Sequence, residues 1–120
     1  MIEVGTRRRN QPAPPWAVFE ALTEPDRDPA RPWLTLLDDE QPPRILEVRG
    51  PGLVVWSSLW RKRPDARVRF DLEPDAGHQG TALRWTLLVE PPEPEPALLG
   101  HLRKRLNQLV NADLRFSFGQ

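Results

Sequence analysis

The chain has 120 residues, with seventeen basic and seventeen acidic side chains, fifteen prolines, five tryptophans and neither cysteine nor tyrosine. That length supports one core that buries about two thirds of the surface of the unfolded chain, so one domain over residues 1–120 is expected. Balanced charge removes the electrostatic case for nucleic acid, the lack of cysteine removes disulfides and zinc–cysteine sites, and no apolar run of about eighteen residues is present to span a bilayer. A soluble, cytoplasmic protein without cofactor or metal is the expectation.

Residues 2–6 alternate apolar and polar ahead of Arg7, Arg8 and Arg9, as a strand with one buried face does. Pro12, Pro14 and Pro15 stop it. Pro15 suits the first turn of a helix that carries Trp16, Val18, Phe19 and Leu22 and ends at residues 23–25. Residues 26–43 are rich in proline and charge, and their apolar run at 32–37 predicts a short helical turn anchored by Trp33 within a long connection.

From residue 44 the pattern is all strand. Residues 44–49 lead into Gly50, Pro51 and Gly52, a turn signal of the kind that joins antiparallel strands. A strand over 53–60 follows, then a turn at 62–65. Over 67–73, Val68, Phe70 and Leu72 share one face opposite charge, which implies water on one side of the sheet. Residues 81–89 read as a fifth strand with Leu83, Trp85, Leu87 and Val89 in register. Prolines 91, 92, 94 and 96 break it and launch a helix over 96–114, in which Leu99, Leu102, Leu106 and Leu109 make an apolar stripe with Leu98 and Val110 beside it. Strands followed by one long amphipathic helix define an α+β arrangement in which the helix covers one face of an antiparallel sheet.

Three stretches carry a family resemblance: Ala13-Pro-Pro-Trp-Ala-Val-Phe-Glu-Ala-Leu-Thr23 as an opening helix, Gly80-Thr-Ala-Leu-Arg-Trp-Thr-Leu87 as a Gly-Thr-initiated late strand, and the closing helix. In this order they make the chain resemble the START-like (SRPBCC) superfamily, which includes polyketide cyclases, ligand-binding proteins and Hsp90-activator-like domains. The resemblance implies a helix-grip fold, a curved antiparallel sheet wrapped around the C-terminal helix. It also implies a cavity between them that in many relatives accepts a lipid, polyketide or other apolar molecule. The segment between first helix and second strand is short against that of larger members, which favours a compact core.

Trp56, Ser58 and Trp60 are expected to share a strand face, with Phe70 and Trp85 on later strands and Trp33 roofing the open end of the sheet. With Leu106, Val110 and Asp113 on the facing helix, they form the candidate ligand-binding set, mostly apolar with a few polar contacts. Aromatics of roughly 150–250 Å² each equally well fill a core. Leu53, Val55 and Leu59 make the other face of the same strand apolar, so which parity faces inward stays open. An outward Val55 and Leu59 would mark a dimer contact.

Asp113 continues the stripe of Leu99, Leu102, Leu106 and Leu109, which would set a carboxylate among apolar side chains. It then needs a basic partner, for which Arg84 is a candidate, or a proton; alternatively the helix has frayed by Asn111 and Asp113 is solvated. The clusters Arg7 to Arg9, Arg61 to Arg63 and Arg103 to Arg105 read as solvated faces. His78 and His101 lack metal-ligand spacing, and no phosphate loop or nucleophile elbow is present. These features favour a non-enzymatic protein, monomer or homodimer, that holds a small hydrophobic molecule such as a lipid or polyketide between sheet and helix. A filled-core interaction module, Hsp90-activator-like, is the alternative. A polyketide cyclase or dehydratase would need Asp113 or Arg84 as its acid or base.

Overall fold

The computed structural model describes residues 1–27 and 32–119. In chain order the elements are β1 (Ile2–Arg8), α1 (Pro15–Thr23), β2 (Ile45–Arg49), β3 (Leu53–Trp56), β4 (Arg67–Pro74), β5 (Thr81–Val89) and α2 (Pro96–Gln108). The last helix runs on through a π-helical stretch, Leu109–Leu114, into a final turn, Arg115–Ser117. All strand pairs are antiparallel, in the order β1-β5-β4-β3-β2, and the sheet wraps the C-terminal helix in a helix-grip fold.

Parity along the strands decides which side chains meet the helix. Val54 pairs with Phe70 and Trp56 with Val68, while Phe70 pairs with Trp85 and Val68 with Leu87, so these residues share the inner face. Against them pack Leu99, Leu102, Leu106, Leu109, Val110 and Leu114 from the helix, and Val18 and Leu22 from α1. On the outer face Val55 sits between Glu47 and Arg69 on the neighbouring strands, and it is buried. Leu59 is fully buried in the core, so the parity left open by the sequence is settled without an exposed pair of Val55 and Leu59.

The strand expected over 53–60 leaves the ladder after Trp56. Ser57 still donates its N–H to the Arg44 carbonyl (2.8 Å), and then Ser58 takes over the backbone groups that the ladder abandons. Its hydroxyl accepts from the Trp60 N–H (3.0 Å) and donates to the Arg63 carbonyl (2.6 Å). Trp56, Ser58 and Trp60 are therefore all buried without sharing a strand face. Residues 32–37 form no helical turn. Their backbone groups are claimed from elsewhere: the Leu37 N–H donates to Glu40 Oε1 (2.8 Å), and the Thr35 carbonyl accepts from Arg105 Nη2 (3.0 Å). Residues 28–31 of the expected connection lie outside the described residues.

At Gly5 a β-bulge lets the helix come close. A Cβ there would lie 3.1 Å from Arg103 Nε, which donates to the Val4 carbonyl at 2.7 Å. The π stretch has a larger effect on side-chain phase. A π turn closes i→i+5 and inserts one residue into the turn, so the buried series after Leu109 and Val110 resumes at Leu114 instead of Asp113. The buried Gln11 side-chain amide donates to the Val110 carbonyl (3.0 Å) within this stretch.

Candidate functional site

Among the described residues a groove of about 1150 Å³ opens at one end of the fold, between α1, residues 32–35 and the end of the C-terminal helix. Trp16, Ala17, Glu20 and Ala21 line it from α1, Trp33 and Thr35 from the connection, and Asn111, Asp113, Phe116 and Phe118 from the helix end. Trp16 is 65% exposed and Phe116 76%, the two largest exposures among the big hydrophobics. The amphipathic α1 turns Val18 and Leu22 into the core, which leaves Trp16 on the outside. The π stretch does the same for the helix end, burying Leu114 and leaving Asn111 and Asp113 at the groove.

Asp113 is half-buried and accepts a hydrogen bond from the Thr35 hydroxyl (3.1 Å). The helix does not fray at Asn111, yet the carboxylate stays out of the buried stripe and partly in solvent, because the π turn carries it to the groove. Arg84 is not its partner: it is exposed on the outer sheet face, with Nη1 3.4 Å from the Thr6 hydroxyl.

Of the candidate ligand-contact residues, the groove brings together Trp33 and Asp113. Trp56, Trp60, Phe70, Trp85, Leu106 and Val110 lie in the closed interior, each at most 1% exposed. Every interior indole has a hydrogen-bond acceptor, as an amphipathic ring in a core requires. Trp56 Nε1 donates to the Leu22 carbonyl (2.8 Å), Trp60 Nε1 to Glu40 Oε2 (3.2 Å) and Trp85 Nε1 to Asn107 Oδ1 (3.3 Å). Trp33 links the two regions. It stacks on Trp56 with centroids 6.0 Å apart and donates to the Ala21 carbonyl (3.0 Å), while Trp56 meets Phe70 edge-on at 4.7 Å. Groove floor and core are thus one aromatic stack.

Behind the groove lies a buried ion pair that the reading of the basic clusters missed. Arg105, expected on a solvated face, is buried against Glu40, with Nη2 2.7 Å from Oε1 and Nε 2.8 Å from Oε2. Burial pushes the Glu40 carboxyl up, but hydrogen bonds from Arg105 and the Leu37 N–H, the Arg105 charge and the Trp60 indole outweigh it, and the group titrates below its usual range. The Glu40 bond raises Arg105 in turn, against its own burial, helped by the charges of Glu40, Asp113 and Asp39. His101 Nε2 stands 3.3 Å from Asp39 Oδ2, and one donor atom each from Asp39, Glu40 and His101 lies within 4.8 Å of the others. Both Glu40 oxygens are already held by Arg105, whose charge would oppose a cation there.

Arg63 also leaves its expected solvated face. It binds Asp65 through two bonds of 3.0 Å and donates to the Glu90 carbonyl (2.7 Å), clasping the end of β5. The position of Arg105 in the stripe, one residue before Leu106, was the available sequence signal for its burial; nothing in the spacing named Glu40.

No protein-family model matches this sequence, and a search of curated proteins found no match to it. Solved structures do share the fold. CalU16 from Micromonospora echinospora is 20% identical, with 95% of this chain and 73% of that chain covered at a TM-score of 0.68. The Aha1 dimer from Colwellia psychrerythraea is 18% identical, with 99% and 100% covered at a TM-score of 0.66. An Hsp90 activator from Plasmodium falciparum is 17% identical, with 92% and 89% covered at a TM-score of 0.59. These likenesses show a shared helix-grip architecture.

Proposed function

We propose that this chain is a START-like (SRPBCC) binding protein that takes up a small hydrophobic molecule, lipid-like or polyketide-like, in the groove between α1 and the end of the C-terminal helix. The observation that carries this reading is the pair of exposed aromatics, Trp16 and Phe116, on opposite walls of one groove floored by Trp33. Large apolar side chains clustered around a concavity are the usual makeup of a small-molecule site. Asp113 and Thr35 supply the polar contact that would orient a hydroxyl or amine end of the ligand. The groove presents no histidine among its described residues, and its reading as a binding site needs no chemistry on the ligand.

Native mass spectrometry of freshly purified protein, beside the denatured mass of the same sample, tests this. Excess mass that vanishes on denaturation supports a retained ligand. Failing that, uptake of an anilinonaphthalene sulfonate dye that Trp16→Ala and Phe116→Ala both weaken supports the groove. Binding lost in Trp85→Phe but kept in Trp16→Ala would move the site into the interior instead.

A second reading, a compact interaction module that acts through its surface, is favoured by one observation. The sheet–helix interior is filled by Trp56, Trp60, Phe70 and Trp85 with their indole N–H groups satisfied. The likeness to an Hsp90 activator points the same way. A bare mass and no dye uptake would shift the conclusion to it.

A further inference from the structure

Strand β2 lies at the edge of the sheet, and all five of its residues are exposed, including Ile45 at 39%, Leu46 at 41% and Val48 at 47%. An open edge with apolar side chains is a template for another strand, and proteins ordinarily blunt it with lysine or proline. β2 has neither. Its faces are set by its pairing with β3. Val48 opposite Val54 lies on the helix side, whereas Glu47 opposite Val55 and Arg49 opposite Leu53 lie on the outer side. The Arg49 carbonyl accepts from the Gly52 N–H (2.8 Å) inside the β2–β3 hairpin. Backbone groups alternate along an antiparallel strand, so those of Val48 turn to the open edge.

We propose that β2 is a homodimer interface, where the β2 of a second copy pairs antiparallel about a two-fold axis through Val48 and joins two sheets into one. In that register Val48 meets Val48 of the second copy. Glu47 faces Arg49 of the second copy and Arg49 faces its Glu47, so each charge has an opposite directly across. The neighbouring registers are worse. An axis through Glu47 sets two carboxylates opposite each other, and an axis between two residues sets an inner-face side chain against an outer-face one. The interface is self-complementary, as a two-fold contact must be.

Sedimentation equilibrium over a concentration series tests the pairing. The wild-type chain is expected to reach twice its monomer mass. Glu47→Arg and Arg49→Glu should each weaken dimerisation about tenfold, because each reversal replaces two attractive pairs by two repulsive ones. The double reversal, Glu47→Arg with Arg49→Glu, should restore it. Val48→Pro, which removes the edge-facing N–H and leaves the β3 side of the ladder intact, should be a folded monomer. Thermal melts of the charge variants should match the wild type at concentrations below dimerisation. A single-chain mass at every concentration overturns the proposal, as does a dimer indifferent to these reversals.

Discussion

Arg105 and Glu40, 65 positions apart in the chain, form a two-point ion pair that ties the middle of the C-terminal helix to the connection bearing Trp33. Both side chains are withdrawn from water, and Trp60 and Leu37 supply further donors to the same carboxylate. Removing one partner leaves the other charge buried and unpaired. Glu40→Leu or Arg105→Met should therefore each cost about 3–5 kcal/mol, whereas the two combined should cost much less than the sum. Urea unfolding of the four proteins in a double-mutant cycle measures this, and additive losses would show that the pair is not coupled.

The same carboxylate predicts a pH dependence. Glu40 titrates below its ordinary value of 4.5 in the folded chain, so its contribution is present above that value and is lost as pH falls through the folded pKa. Asp65, lowered first by its bond from Arg63, against burial, acts with the same sign. Stability should fall as the medium is acidified below the ordinary carboxylate range. Glu40→Gln should flatten that fall while lowering stability at neutral pH. Melting temperatures across an acid series check both parts.

Two glycines should respond in opposite directions to alanine. At Gly80 a Cβ would lie 2.5 Å from the Gln11 carbonyl oxygen, and that backbone is fixed by paired bonds between Gln11 and Thr81 of 2.8 and 2.9 Å. Gly80→Ala should destabilise by about 1–3 kcal/mol. Gly100 is exposed within α2 with nothing within 4 Å of a Cβ, so Gly100→Ala should stabilise by about 0.5–1 kcal/mol. Differential scanning calorimetry separates the two signs.

Asp113 should matter little for folding. It is half-buried and bonded to an exposed Thr35 hydroxyl, so Asp113→Ala should change stability by less than about 1 kcal/mol. If the groove takes a ligand through this carboxylate, the same variant should weaken uptake of the retained molecule. A large loss of stability would instead show that Asp113 supports the helix end.

Most elements were legible because they rest on local periodicity, though the strand expected to reach residue 60 stops at Trp56 and the helical turn expected at 32–37 is absent. Alternation over 67–73 and 81–89 became β4 and β5, and the step of Leu99, Leu102, Leu106 and Leu109 became the helix face that the sheet grips. Pro15 and Pro96 marked helix starts correctly, since the first turn does not need their missing N–H. The candidate site was less legible. Trp33 and Asp113 line the groove, but Trp16 and Phe116 were not singled out, because nothing local distinguishes an aromatic that faces solvent from one that faces a core.

By itself the sequence determined the α+β order, the inner faces of β4 and β5 and the apolar stripe, all consequences of periods shorter than a few residues. Only the tertiary structure decided the rest. The π turn that moves Asp113 out of the stripe and Leu114 into it follows from how the helix end settles on the core. The burial of Arg105 depends on Glu40, which no spacing rule connects to it. The groove exists because α1, residues 32–35 and the helix end, distant in sequence, meet at one end of the sheet. Contacts of that range are set by packing and desolvation summed over the whole chain, which a local pattern does not carry.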